Sequence, residues 1–219
     1  MPFEPRFSTA PAWRPSAAQL AAFEQLDRVA TRLNRATSGL TAVLLIGPAG
    51  AGKSRLVDEL NTARGGDSMR CVRLETAAPM ELFAQINAAA SERRVLVIEA
   101  RQPPVAWYQR QGEAITSDLE SRLIALAEVV LDRPTPDALE RLLADDVDLH
   151  GHRLSEKDRA FVAGSLNRHL AAPRAFCTAL DRVPADLGQR ARLEWALDRT
   201  VEMIAGLSSG EEIDGYGRA

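Results

Sequence analysis

The sequence predicts an α/β fold in which a parallel sheet is followed by an all-helical lobe. Three observations point there. An apolar run at 41–46 leads directly into a glycine-rich loop and then an amphipathic stretch, as a buried parallel strand leading into a helix does. Strand-like runs at 70–75, 94–100 and 127–131 are separated by stretches of helical period, the alternation that builds parallel sheets. After Pro134 the strand pattern stops and only helical periodicity continues.

In chain order, residues 1–16 are proline-rich and read as an irregular strap. Ser16 is placed to cap a helix whose apolar residues Leu20, Phe23, Leu26, Val29 and Leu33 fall at helical spacing and which ends near Ser38-Gly39. The strand at 41–46 follows, then a helix from about Lys53 to Ala63, broken by Arg64-Gly65-Gly66-Asp67. A short strand (70–75), a helix (79–94) and a strong strand (94–100) come next. Pro103-Pro104 make 101–115 a loop, because proline continues neither element. Residues 118–132 give a short helix running into a last strand, closing a base over 17–132. Residues 133–207 read as a helical lid, with Thr135, Ser155 and Ala172-Pro173 at helix starts. The glycine-rich, acidic residues 208–219 are expected to be disordered.

The 219 residues suit one sizeable domain or one domain with a small appendage, and at 46% hydrophobic and 26% charged they have the balance of a folded protein. A formal charge of −3 offers no electrostatic reason to expect a nucleic-acid or membrane binder. Two cysteines, Cys71 and Cys177, make neither a disulfide framework nor a ligand set. With no apolar segment near the N-terminus and none long enough to span a bilayer, the expected location is the cytoplasm. Only Lys53 and Lys157 are lysines among 27 basic residues, so a lysine inside a motif carries weight.

Residues 47–54, GPAGAGKS, match G-x-x-x-x-G-K-[ST] in full. In this P-loop, Gly47, Gly50 and Gly52 permit backbone turns that a side chain would block. Successive N–H groups then point inward as an anion nest at a helix N-terminus. Lys53 supplies a charge beside β- and γ-phosphates, and Ser54 offers a hydroxyl to Mg²⁺. The candidate nucleotide-binding residues are Gly47, Pro48, Ala49, Gly50, Ala51, Gly52, Lys53, Ser54 and Arg55, with ATP or ADP and Mg²⁺ as the expected ligands.

Three further segments give a family resemblance: VLVIEARQPPVAW (95–107), DLESRL (118–123) and RAFCTALDRV (174–183). Together with the P-loop they resemble the bacterial replication initiator DnaA and its shorter relative Hda, within the AAA+ ATPases, over about 16–205. The resemblance implies an AAA+-like P-loop NTPase base with a C-terminal helical lid. It also implies that Arg122, in Ser121-Arg122-Leu123, is an arginine finger acting on a neighbour's nucleotide. The plain alternative is a surface arginine paired with Asp118 or Glu120. Arg174 resembles the lid arginine that closes on the nucleotide, its alternative being a helix-surface charge. The implied role is control of replication initiation through protein contacts. The implied partners are a DnaA-type initiator or the sliding clamp, in a nucleotide-dependent oligomer.

The chain also departs from the family. No apolar strand ends in two acids, and between Ser54 and Val95 there is room for one strand–helix unit where the family has two. Only Glu75 stands where those acids belong, and its plainer reading is a strand-end surface charge. Glu99 occupies a slot that is neutral in the family. A carboxylate about 4 Å from a phosphate charge is unfavourable by about 4 kcal/mol at an effective dielectric near 20, unless Mg²⁺ intervenes. Glu99 is therefore a candidate surrogate for the metal-side acid, and weak or absent ATP hydrolysis is expected. A second function class stays open: a small P-loop kinase with Glu99 as its acid. His150 and His152 form H-x-H without a visible third ligand and read as a solvated loop. Trp107 reads as packing. Gln19–Phe23 faintly resembles a clamp-binding peptide, but helix core is the better reading. No helix-turn-helix pattern follows the lid, so sequence-specific DNA binding is not expected.

Overall fold

Strand β1 (Ala42–Ile46) is buried along its whole length at the middle of a four-stranded parallel sheet in the computed structural model, which describes residues 15–35, 41–66, 68–92 and 94–209. The other strands are β2 (Met69–Arg73), β3 (Val95–Ala100) and β4 (Ala127–Val130), and the order is β2-β3-β1-β4. β1 pairs Leu45 with Glu99 on one side and with Val129 on the other. Apart from Glu99, the central strands β1 and β3 are apolar on both faces, as helices on both sides require, while β2 and β4 are edges and partly exposed.

The period-2 alternation of strand side chains sorts the core into two layers. Val43, Leu45, Val95, Val97 and Val129 pack against α1 (Ala17–Arg35) and α2 (Lys53–Ala63). Leu44, Ile46, Leu96 and Ile98 pack on the other face, against α3 (Pro79–Glu92), α4 (Val105–Gln111) and α5 (Ser117–Ile124). By the same parity Glu99 faces the α1/α2 layer.

Helix α1 begins with a reciprocal capping box. Gln19 N–H donates to Ser16 Oγ at 3.3 Å and Ser16 N–H to Gln19 Oε1 at 2.9 Å. Its buried stripe is Gln19, Ala22, Leu26 and Ala30. Leu20, expected inside, is 47% exposed, because the small residues at 22 and 30 let the helix lie close to the sheet and turn its stripe away from Leu20. The Arg64 guanidinium ties α1 to the end of α2, donating to Asp27 Oδ1 and to Thr31 Oγ1 at 2.6 Å. The expected loop at 101–115 is corrected: Pro104 is the N-cap of α4, and a 3₁₀ turn follows at Gly112–Ala114. Proline stops a helix from inside but suits its start, where a missing N–H leaves nothing unsatisfied. Trp107 on α4 is 2% exposed and packs among Leu82, Ile98 and Leu119.

Residues 15–134 form one compact unit, and from Thr135 onward the chain forms a second. The second unit consists of α6 (Pro136–Leu149), α7 (Glu156–Ser165), α8 (Ala172–Leu180) and α9 (Gln189–Ser209). Thr135 and Ser155 cap α6 and α7 by accepting from Ala138 and Asp158 N–H. Its own core is built on Leu139, Leu143, Val162, Phe176 and Leu193. Helix α9 includes Ser208 and Ser209, which the sequence reading assigned to a disordered tail. Residues 1–14 of the expected 1–16 strap, the turn at Ser38-Gly39 and residues 210–219 lie outside the described residues.

Candidate functional site

The glycine-rich loop leaves the C-terminal end of β1 and enters the N-terminus of α2. Gly50 (φ 74°) and Gly52 (φ 90°) both adopt left-handed backbone, which β-carbon sterics disfavour. Gly47 is needed for another reason. A Cβ there would lie 2.3 Å from Leu131 O, so the glycine admits the chain that follows β4. The loop is held from the other side by Gly47 N–H donating to Ala100 O at 2.9 Å and closed by Ala51 N–H donating to Pro48 O at 3.3 Å. Ala49 and Gly50 form the turn between.

Helix α2 has no side-chain N-cap, so its first-turn N–H groups and positive dipole end face the loop. Lys53 Nζ donates to Gly47 O at 2.6 Å and Pro48 O at 3.1 Å. Burial lowers the Lys53 pKa, and the Glu99 and Glu75 carboxylates oppose that shift. Arg101 and Arg73 are also close enough to act on it. These features fit a bound polyphosphate: donors converge on the loop, and its ammonium is held by carbonyls that an anion would replace.

Ser54 and Glu99 meet beside the loop. Ser54 Oγ donates to Glu99 Oε2 at 3.0 Å, and Glu99 is 5% exposed. A hydroxyl from the first turn of α2 and a buried carboxylate near the end of β3 are hard oxygen ligands suited to Mg²⁺. Glu99 has a second partner that sequence reasoning missed, since Cys71 Sγ donates to Oε1 at 3.7 Å. Desolvation of the sulfur and the carboxylate beside it push the Cys71 thiol pKa up, although the residue as a whole is exposed on the edge strand. The available signal was strand parity: Cys71 pairs with Val97, two residues before Glu99. Glu75 follows β2 and accepts Arg101 N–H at 2.5 Å, anchoring the chain as it leaves β3.

Arg55 lies one residue beyond Ser54 and forms an i,i+4 pair with Glu59 at 2.5 Å. Arg122 lies on α5, on the sheet face opposite α2. Its guanidinium donates to Asp118 Oδ1 at 3.2 Å and Asn87 Oδ1 at 2.8 Å and stacks over Phe83. Arg174 lies on α8 in the helical unit, 3.8 Å from Asp146 Oδ1. The structure thus gathers Lys53, Ser54 and Glu99 at the loop and keeps Arg122 apart from them.

A strand, a phosphate-type loop capped by a bare helix N-terminus, and an acid on the adjoining strand define a P-loop nucleotide-binding class of protein. The model of the AAA ATPase domain family matches residues 24–214, and the chain belongs to that family. Its fold is similar to domain III of the Thermotoga maritima replication initiation protein DnaA, at 15% identity and a TM-score of 0.56, covering 92% of this chain and 90% of that one. It is also similar to C. elegans PCH-2 (12% identity, TM-score 0.55, 88% of this chain and 70% of that one). The Thermotoga maritima RuvB Holliday junction branch migration motor matches at 14% identity and TM-score 0.53, covering 90% of this chain and 72% of that one. The fold is a DnaA-like AAA+ fold. No curated protein matches the chain in sequence. Among the described residues no helix is long and apolar enough to cross a membrane.

Proposed function

We propose that this AAA ATPase-domain protein binds ADP or ATP with Mg²⁺ at its P-loop and acts as a cytoplasmic regulator through protein contacts. The observation that carries the reading is the Lys53–Ser54–Glu99 constellation: a phosphate cradle and one buried acid beside it, with no second acid hydrogen-bonded to that acid among the described residues. When bound, Mg²⁺ would neutralise phosphate charge, and Ser54 and Glu99 would hold it. Hydrolysis also needs a positioned water. Glu75, two residues past β2, is occupied with Arg101 N–H. Turnover is therefore expected far below the ~10 s⁻¹ median of enzymes. The likeness to DnaA domain III supports a role in replication initiation, with a DnaA-type initiator or the sliding clamp as partner.

The test is a melting experiment with ADP and ATP, with and without Mg²⁺. Ligand at about 100 times its Kd adds about 2.7 kcal/mol, a rise of roughly 5–10 °C for a chain of this size. No rise with either nucleotide would reject the reading.

Arg122 supplies a second check. Its position on α5, away from the loop, supports action on a nucleotide held by another subunit. Arg122→Ala is expected to leave nucleotide affinity of the monomer unchanged while reducing partner-dependent assembly or stimulated hydrolysis. Its ion pair and its stacking on Phe83 are worth about 1 kcal/mol of stability, so a small fall in Tm accompanies it. Arg174→Ala, by the lid reading, weakens binding on the monomer itself. Equal weakening by both substitutions would argue for one pocket lined by both arginines.

That outcome would favour the second reading, a P-loop kinase. One observation supports it: a cavity of about 320 Å³ at the C-terminal ends of β2 and β3, lined by Glu75, Arg101, Gln102 and Arg110 among others. Such a cavity could take a small acceptor. Product analysis separates the two, since a kinase phosphorylates an acceptor and a regulator yields only ADP and phosphate.

A further inference from the structure

We propose that His150, His152 and Asp181 form a binding site for a divalent transition-metal cation of the zinc class, within the helical unit. The H-x-H pair itself offers two ligands. The fold brings a third from the end of α8. His150 Nδ1 lies 2.8 Å from Asp181 Oδ2, and His152 Nε2 lies 2.9 Å from Asp181 Oδ1. One ligand atom from each of the three residues falls within 4.8 Å of the others. Two imidazoles and a carboxylate are the borderline donors that Zn²⁺ and Co²⁺ prefer.

The two rings are nearly parallel, with centroids 6.1 Å apart and an interplanar angle of 10°, yet they present different nitrogens to the same carboxylate. His150 makes an aligned contact with Asp181. His152 Nε2, despite its short distance, has no aligned hydrogen bond among the described residues and is shielded from solvent. A simple His–Asp ion pair would align that N–H with the oxygen. A cation lying along the Nε2 lone pair would give this buried nitrogen the partner it lacks among the described residues. Donor atoms of a tetrahedral zinc site with bonds of 2.0–2.1 Å lie about 3.3 Å apart. Small side-chain rotations reach that spacing from the present 2.8 and 2.9 Å.

The backbone is prepared for the site. His150 is the C-cap of α6 and Asp181 the C-cap of α8, so two negative helix-dipole ends converge where a cation would sit. Gly151, at φ 72°, sets the turn between the histidines, and His152 N–H closes it on Val147 O at 2.9 Å. Asp146 adds negative charge beside His150, and Arg174 faces Asp146 from α8. The histidine side chains are 22% and 20% exposed and Asp181 44%. That leaves an open side for water, or a partner's ligand, at a fourth position.

The test uses the full chain stripped by chelator and then titrated with Co²⁺ and Zn²⁺ in the absence of nucleotide. The expected result is one equivalent of bound Co²⁺ with visible ligand-field bands, displaced by Zn²⁺. His152→Ala and Asp181→Asn should each weaken binding by at least the roughly 10–100-fold that losing an outer partner of a metal site causes. Glu99→Gln, at the P-loop, should leave it unchanged. Co²⁺ should also broaden the wild-type amide resonances of residues 150–152 and 181, a readout that needs no variant. Absence of saturable binding would overturn the proposal. So would binding insensitive to both substitutions, or broadening confined to the P-loop.

Discussion

Gly47→Ala is expected to destabilise the sheet unit by about 3 kcal/mol, seen as a fall of roughly 6–12 °C in Tm, in the absence of any nucleotide. The added Cβ would lie 2.3 Å from Leu131 O and 3.3 Å from Leu131 Cβ. The obstacle is backbone, and it cannot swing aside: Leu131 is 1% exposed and its N–H donates to Ile46 O at 2.7 Å. Relief requires β4 to move off β1, which would disturb the pairing of Ile46 with Val130. Gly65 and Gly66 give an internal contrast. Their φ angles are +87° and +81°, and an added Cβ would meet nothing within 4 Å. Alanine there incurs only the left-handed backbone penalty of about 1–2 kcal/mol. Calorimetry of the three variants decides the matter. A Gly47→Ala protein that melts no lower than Gly65→Ala would show that β4 yields freely and that the first motif glycine answers to phosphate alone.

The legible parts of this protein are those whose causes are local. The strand–loop–helix at 42–63 was readable because left-handed turns demand glycine at 50 and 52 and because a buried strand must be apolar on both faces. Helix starts at Ser16, Thr135 and Ser155 were readable because a side-chain oxygen caps nearby N–H groups. Even the direction of Glu99 was implicit in the alternation of Val95, Val97 and Glu99. What escaped depended on long-range packing. Leu20 has helical spacing, but the stripe of α1 is chosen by where Ala22 and Ala30 can approach the sheet. Pro103-Pro104 punctuate the chain, and only the fold decides that they begin α4. Glu99 acquires Cys71 through strand pairing, and His150 acquires Asp181 through helix packing 31 residues away. Such contacts leave no mark in local periodicity.

Lys53→Ala and Glu99→Gln should separate the two halves of the nucleotide site. The lysine charge meets phosphate in a partly desolvated loop, where a charge-assisted contact is worth about 3 kcal/mol. Its loss weakens nucleotide by roughly 100-fold, with or without Mg²⁺. Glu99→Gln should instead change sign with the metal. The glutamine amide oxygen can still accept from Ser54 Oγ, so the shape is kept and only the charge goes. With Mg²⁺ present, affinity falls because a hard anionic ligand is gone. In EDTA, affinity rises, because a buried carboxylate near a phosphate repels it by up to about 4 kcal/mol per unit charge at 4 Å. Isothermal titration of ADP under both conditions reads this crossing directly. Weakening by the same factor in both would mean that Glu99 serves only to hold Ser54 and Cys71 in place. Tightening in both would mean that Glu99 repels the phosphates and holds no metal. Only the crossing fits a carboxylate that stands in for the missing acid pair.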